Sequence, residues 1–378
     1  MRRSTSAMTW LGELGTYARL ARWLGPWADE ARGPEVRREI VAIAGAAPFE
    51  GWLYHPGARP RGAYLIAPGL HYAGPADPRM DRFCRVLAGA GFVVLAPFLP
   101  DYTALRVAPT CFEDLEASFE ALLDRPEVGP DRRPGVFSIS FGSLPALRLA
   151  ARARRADRIG GLIVFGGYAN WHDTIQFCLT GRIAGTLHGA RDPLNQPVVF
   201  MNLIDAVADL TGVTPGDRPA LLEAWRAYVE ATWGRQDMKQ PERFEAVARA
   251  HGETLPHAIR DLFLIGCGAA AGGFELATRA LAGAPDRSTF LDPTPYLGQI
   301  TCPVHFVHGI DDDVIPYVES EKLGAAMAAH PDATVHLTGL YGHTSQAGDR
   351  RDRGAGALGR ELRTMARILR AFVRCGSG

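Results

Sequence analysis

The chain has 378 residues, 47% of them hydrophobic and 22% charged, a composition ordinary for a folded protein with a large core. Its 41 basic and 41 acidic residues cancel, so nothing in the charge balance points to a nucleic acid or an anionic membrane as partner. The length exceeds one average domain but suits a single α/β unit that carries an insertion.

Residues 8–28 place Trp10, Leu14, Tyr17, Ala21 and Leu24 at helical spacing, so residues 1–34 are expected to form an N-terminal amphipathic helical segment. Packing on the body of the protein is its expected role. Three tryptophans, Trp10, Trp23 and Trp27, keep contact with a membrane surface or a second copy open as the alternative. Segments 37–43 and 49–54 read as an opening antiparallel strand pair. Two near-continuous apolar strands follow at 63–67 and 92–96, separated by a helix around 80–88, and they suit a parallel sheet buried on both faces. A helix over 112–123 leads to a strand that ends at Ser140, and 162–165 forms the next strand. The interval from Phe165 to Cys302 is far longer than one crossover needs. Its pattern is helical, with breaks at Pro219, Pro241, Gly266 and Pro293, and residues 168–290 are read as a helical cap inserted over the sheet's carboxyl edge. The small-residue stretch 266–273 is read as a close-packing face, with a hinge as the alternative. Strands return at 302–309 and 334–337, and the last helix carries Leu358, Leu362, Met365, Leu369 and Phe372 on one stripe. Strand–helix alternation throughout implies a mostly parallel sheet with helices on both faces, built from residues 35–167 and 291–378.

The six cysteines (Cys84, Cys111, Cys178, Cys267, Cys302 and Cys375) show no metal or redox spacing, and the histidines form no pair at metal-ligand spacing on a shared helix. No metal and no cofactor are expected. Free buried thiols, with no export signal behind Arg2 and Arg3, favour a reducing cytoplasm. Uncharged apolar stretches such as 262–274 are too short to span a bilayer.

The run Val136, Phe137, Ser138, Ile139, Ser140, Phe141, Gly142, Ser143 carries the most chemical information. A strand that turns abruptly into a helix needs small residues two before and two after the apex, and Ser138 and Gly142 are both small. Such a turn exposes the apical hydroxyl at the carboxyl end of a sheet. Two further motifs follow, each just past a strand: His308, Gly309, Ile310, Asp311, Asp312, Asp313, Val314, Ile315, Pro316, and then Gly342, His343.

With these three motifs in this order, the chain from about residue 36 to 374 resembles the α/β-hydrolase superfamily, in which a serine, an acid and a histidine follow three sheet strands. The resemblance implies an α/β-hydrolase fold with an eight-stranded, mostly parallel sheet, and a serine hydrolase of the esterase or lipase kind. It implies Ser140 as nucleophile, Asp312 as the acid (counted from His308 in the His-Gly-x-x-Asp pattern) and His343 as the base. Asp311 and Asp313 remain alternatives for the acid. Ser138 stands where glycine is commoner in that family. The resemblance also places the oxyanion donors: the Phe141 amide, directly after the serine, and the Leu70 amide, in a loop where Pro68-Gly69 replaces the family's His-Gly.

The chemistry follows from the residue types. A serine hydroxyl is a poor nucleophile until a base within hydrogen-bond reach takes its proton, and an acid must then hold that base in the correct tautomer. His71, Trp171 and His172 are the expected pocket residues, each with a purely structural role as its alternative. Trp225, Tyr228, Trp233 and Phe274 are expected in the insertion's own core. The expected reaction is cleavage of a small-molecule carboxylic ester with a hydrophobic acyl or alcohol part. Acyl transfer by the same three residues and a catalytically inactive binding protein are the alternatives.

Overall fold

Side chains alternate across a strand, so a strand covered on both faces can be apolar throughout. That alternation organises the computed structural model, which describes residues 3–25, 27–29, 31–183, 187–283, 289–339 and 355–378. The chain starts as helix α1 (Arg3–Leu24) and strands β1 (Arg37–Ala44) and β2 (Pro48–His55), then β3 (Gly62–Ala67) and α2 (Pro78–Ala90). Next come β4 (Phe92–Pro97), the short α3 (Pro100–Thr103), α4 (Thr110–Leu123), β5 (Gly135–Ile139), α5 (Ser143–Arg152) and β6 (Gly161–Phe165). After β6 the chain leaves the sheet for α6 (Trp171–Thr180) and the small antiparallel pair β7 (Arg182–Ile183) and β8 (Leu187–His188). Helices α7 (Gln196–Asn202), α8 (Ile204–Thr211), α9 (Arg218–Thr232), α10 (Pro241–Glu253), α11 (His257–Gly266), α12 (Gly273–Ala282) and α13 (Thr294–Leu297) complete this inserted segment. It returns through β9 (Val304–Gly309), α14 (Val318–Ala326), β10 (Ala333–Thr338) and α15 (Ala355–Gly376).

Eight strands of the described residues form one sheet in the order β1-β2-β4-β3-β5-β6-β9-β10. β1, β2 and β4 pair antiparallel and every other neighbour pairs parallel. Ala63, Leu65, Val93 and Leu95 face a layer made by α4, α5 and α14, while Tyr64, Ile66, Phe92 and Val94 face α1, α2 and α15. This is an α/β-hydrolase fold, with the insertion between β6 and β9.

Local sequence sets the element ends. Asp77 accepts the Arg79 and Met80 amide N–H groups at the start of α2, and Gly91, at φ 113°, closes that helix in a conformation that favours glycine. Pro219 and Pro241 stand in the first turns of α9 and α10, where a missing N–H costs nothing. The stretch 266–273 is the turn between α11 and α12. A side chain at Gly266 would come within 2.5 Å of the Trp225 ring, so close packing is what this glycine permits.

The N-terminal helix packs on the body through Thr16 and Leu20, both buried, with Tyr17, Ala21, Trp23 and Leu24 beside them. Its inward face differs from the expected one: Leu14 is 43% exposed, and Trp27 beyond the helix is 64% exposed. The side chain of Trp10 lies outside the described residues. The insertion builds a core of its own around Phe200, Trp225, Tyr228 and Phe263, continuous with Leu99, Tyr102, Phe141 and Leu144 of the sheet unit. No helix among the described residues is long and apolar enough to cross a membrane.

Candidate functional site

Ser140 terminates β5 and begins a single turn of 3-10 helix, Ser140–Gly142, that runs directly into α5. Its φ is +54°, a left-handed backbone conformation that costs a non-glycine residue on the order of 1–3 kcal/mol. The packing that imposes this turn is explicit. A Cβ on Gly142 would stand 2.3 Å from the Ala67 carbonyl oxygen and 2.4 Å from that of Pro68, so no side chain fits two residues after the serine. Two residues before it, Ser138 is fully buried, its Oγ 3.4 Å from the Ile163 carbonyl oxygen. Tyr102 donates its hydroxyl to the Phe141 carbonyl at 2.9 Å and fixes the peptide after the apex.

The loop after β3 lies against this turn: a Cβ on Gly69 would sit 3.2 Å from both the Ile139 carbonyl oxygen and Ser140 Cβ. Leu70 follows, and its N–H meets no acceptor among the described residues. His71 locks the loop. Its Nδ1 accepts the Ala73 N–H at 3.1 Å, so the ring proton resides on Nε2, 3.3 Å from Asp77 Oδ2. Burial lowers its pKa and outweighs Asp77, so the ring is neutral near pH 7. It also stacks on Tyr72, with centroids 4.6 Å apart.

Asp312 lies in the loop after β9 with its side chain buried. Its Oδ1 accepts the Val314 and Ile315 N–H groups at 2.9 and 2.8 Å, which winds 312–315 into a tight turn. Beneath it His308, wholly buried, has Nε2 2.8 Å from the Ile315 carbonyl and 3.3 Å from Asp312 Oδ2, and Nδ1 2.7 Å from Ser320 Oγ. Two acceptors at Nε2 put the ring proton there, and the Ser320 hydroxyl donates to Nδ1. Asp313 turns instead toward the insertion, where Lys239 donates to it. Asp311 is exposed. His343 lies outside the described residues.

Trp171 and His172 part company at the start of α6, because neighbouring helix positions do not share a face. Trp171 is 6% exposed and packs edge-on to Phe141 at 5.6 Å, whereas His172 is exposed and stands off the cavity wall. Asn170 caps this helix through the Asp173 N–H, and the buried Glu319 carboxylate accepts the Ala169 and Asn170 N–H groups at 3.0 and 2.7 Å. Sequence reading missed Glu319, which stands in the polar run Glu319, Ser320, Glu321, Lys322 that reads as a solvent-facing helix start.

A cavity of about 570 Å³ opens over Ser140. Gly69, Leu70 and Phe141 line it from the sheet side, Trp171, Leu194, Val198, Val199 and Trp233 from the insertion, and Phe83, Met365 and Phe372 from α2 and α15. Trp233 was expected in the insertion's core; it stands on the cavity wall, its Nε1 donating to the Leu194 carbonyl at 2.8 Å. Trp225 and Tyr228 are core residues, whereas Phe274 is 36% exposed. Cys178 also lines the cavity, but burial pushes its thiol up to about 12, far from a reactive thiolate. No cluster of three or more metal-ligating side chains occurs among the described residues.

No family model matches the sequence, and no curated protein matches it. Among solved structures, the chain is similar to an esterase of Pyrococcus furiosus, at 14% identity over 90% of this chain and 92% of that one, with a TM-score of 0.47. It is also similar to an acylaminoacyl peptidase of Pyrococcus horikoshii, at 12% identity, 92% and 43% coverage and a TM-score of 0.47. A puromycin-hydrolysing peptidase of Mycobacterium tuberculosis aligns at 14% identity, 90% and 39% coverage and a TM-score of 0.46. This chain thus spans less than half the length of either peptidase. At these scores the likeness says nothing about substrate or mechanism, and the fold rests on the strand order above.

Proposed function

We propose that this protein is a serine hydrolase that cleaves carboxylic esters with an apolar acyl or alcohol part. The observation that carries the reading is the backbone of Ser140: a strained, non-glycine residue at the end of a central strand, facing a cavity, held there by a glycine no side chain could replace. Strain of this kind persists only where its surroundings impose it, and it gathers at functional sites.

In this reading Ser140 attacks the ester carbonyl while His343 takes the hydroxyl proton. Asp312 holds the other imidazole nitrogen and stabilises the imidazolium. The Phe141 and Leu70 N–H groups receive the developing oxyanion, which is supported by the press of the Gly69 loop against Ser140. The protonated His343 passes its proton to the departing alkoxide, leaving an acyl-serine. Water then attacks that ester, with His343 again as base, and restores the serine. Residues 168–290 act as a cap over the carboxyl edge of the sheet. The mostly apolar lining of the cavity, with charged Asp192 and Lys239 on its insertion wall, favours an apolar substrate part, and a small ester suits a volume of about 570 Å³. Six buried free thiols fit a chain kept in a reducing cytoplasm.

A panel of p-nitrophenyl esters graded by acyl length tests this reading. Turnover that rises with acyl length to an optimum and disappears in Ser140→Ala supports it. Turnover unchanged in Ser140→Ala refutes it. An added alcohol that captures most of the acyl group would convert the assignment from hydrolase to transferase.

A further inference from the structure

The sequence holds two lysines, Lys239 and Lys322, among 41 basic residues, and each pairs with two carboxylates. Lys322, on α14, pairs with Glu319 of its own helix and with Asp173 of α6. Lys239, in the turn that leads into α10, lies 2.9 Å from Asp192 Oδ2 of the insertion and donates to Asp313 of the loop after β9. In each case one ammonium sits between two carboxylates contributed by different parts of the chain. Arginine's planar fork matches a single carboxylate face to face, whereas a compact ammonium with three rotatable donors bridges two.

We propose that Lys239 is a positioning residue: acting through Asp313, it holds the loop that carries Asp312, so that the insertion must be seated for the Ser140 site to work at full rate. The inference rests on the triad reading of Ser140, Asp312 and His343. Three observations support it. First, the loop is fastened twice at the same residue, because the Asp192 N–H also donates to the Asp313 carbonyl at 2.7 Å. Secondly, residues 312–315 form one turn closed by two hydrogen bonds to Asp312 Oδ1, so a displacement at Asp313 is carried into the neighbouring carboxylate. Thirdly, the fastening is dry enough to matter: Asp192 is 5% exposed, and the Lys239 side chain retains 21% of its exposure. Burial alone would lower the Lys239 pKa, but Asp192 and Asp313 override it and raise the value, so the ammonium remains charged across the working pH range. His308 supports Asp312 from inside the sheet and Lys239 from the insertion; the first is part of the core, and the second belongs to the insertion. Lys239, Asp192 and Ser140 all line the same cavity, so the clasp and the serine border one chamber.

The test uses the full chain in five forms: wild type, Lys239→Met, Lys239→Arg, Asp313→Asn and the double variant Lys239→Met with Asp313→Asn. Each is assayed with a neutral p-nitrophenyl ester and for the rate and pH dependence of fluorophosphonate labelling at Ser140. The expected result is a kcat lowered about 10- to 100-fold in Lys239→Met with KM changed less than about threefold, the range over which misplaced supporting groups act. The acid-side midpoint of labelling should fall by about half a pH unit or more, because a base whose carboxylate partner is misaligned binds its proton less tightly. Asp313→Asn should match Lys239→Met, the double variant should be no worse than either single one, and Lys239→Arg should recover part of the rate by keeping the charge. Lys239→Met with a wild-type labelling rate and midpoint overturns the proposal, even if its melting temperature falls, since a purely structural pair would move stability alone. A raised KM with unchanged kcat also overturns it, in favour of a substrate contact. Should Lys239→Met fail to fold, Asp313→Asn and Lys239→Arg carry the same comparison. If wild type itself does not label, the Ser140 reading fails first. Hydrogen exchange of residues 310–316 then judges the clasp by itself: faster exchange in Lys239→Met upholds it as the fastener of this loop, and unchanged exchange overturns it.

Discussion

Gly142→Ala puts the geometry of the Ser140 turn under direct load. The added methyl would lie 2.3 Å from the Ala67 carbonyl oxygen and 2.4 Å from that of Pro68, about an ångström inside ordinary carbon–oxygen contact. Neither oxygen belongs to a side chain that can rotate away. Ala67 is paired with Ser138 in the β3–β5 ladder, so relief requires the end of β3 to be pried from the turn. Overpacking costs typically about 1–3 kcal/mol, and an obstacle made of backbone places this case at the upper end, about 3 kcal/mol. For a chain of this size that is a fall of roughly 3–6 °C in melting temperature. Activity should suffer more. The displaced elements carry Ser140 on one side and Gly69 and Leu70 on the other, and a 1 Å misplacement of reacting groups costs about 100-fold. Differential scanning fluorimetry and ester turnover per folded molecule separate the two effects. Gly57→Ala, whose Cβ would meet nothing within 4 Å, is the matched control and should leave both unchanged. Gly142→Ala with wild-type melting and wild-type turnover would refute the packing argument for the turn.

The acid assignment predicts that Asp312→Asn lowers kcat by about four orders of magnitude through the wrong histidine tautomer, while Asp311→Asn stays within twofold; the reverse pattern in steady-state kinetics transfers the role to Asp311. The strand pair β9–β10 predicts a pH effect on stability remote from the site. Burial, with His336 and Arg374 nearby, pushes His305 down to about 4, so its neutral form is favoured in the folded state. The associated stability is fully present above the unfolded histidine value of about 6.5 and is lost as pH falls toward 4, by at most about 3 kcal/mol. Urea denaturation from pH 7 to pH 4.5 should show this slope in wild type and a shallower one in His305→Gln; equal slopes would exclude His305 as the cause.

Much of the fold was legible because its signals are local. Apolar runs such as 63–67 and 92–96 have no polar face, which only a doubly covered strand tolerates, and Pro219 and Pro241 mark helix starts through a missing donor. The turn at Ser140 was legible because steric exclusion leaves a mark in residue size: Ser138 and Gly142 are small where the backbone folds back on itself. What failed to show was direction. Trp171 and His172 are neighbours with equal claims on a pocket until the Asn170 cap fixes where the helix begins, and then only Trp171 faces inward. Trp233 looked like a core residue because a cavity wall and a core select the same side chains. Leu14 fits the helical stripe of α1, yet it is 43% exposed, because the helix turns Thr16 and Leu20 inward instead. Lys239 and Glu319 act across gaps in sequence far longer than any periodicity spans. The one sequence mark of Lys239, a lysine in an arginine-rich chain, acquires meaning only once its two carboxylates are seen on either side.

Labelling of purified protein with a fluorophosphonate probe, followed by peptide mapping, tests the central claim most directly, since the probe reacts only with an activated serine and needs no knowledge of the natural substrate. The account predicts a single adduct on Ser140 in wild type, and none in Ser140→Ala or His343→Ala. Folded wild-type protein that takes up no label, or that carries it on another residue, would contradict it.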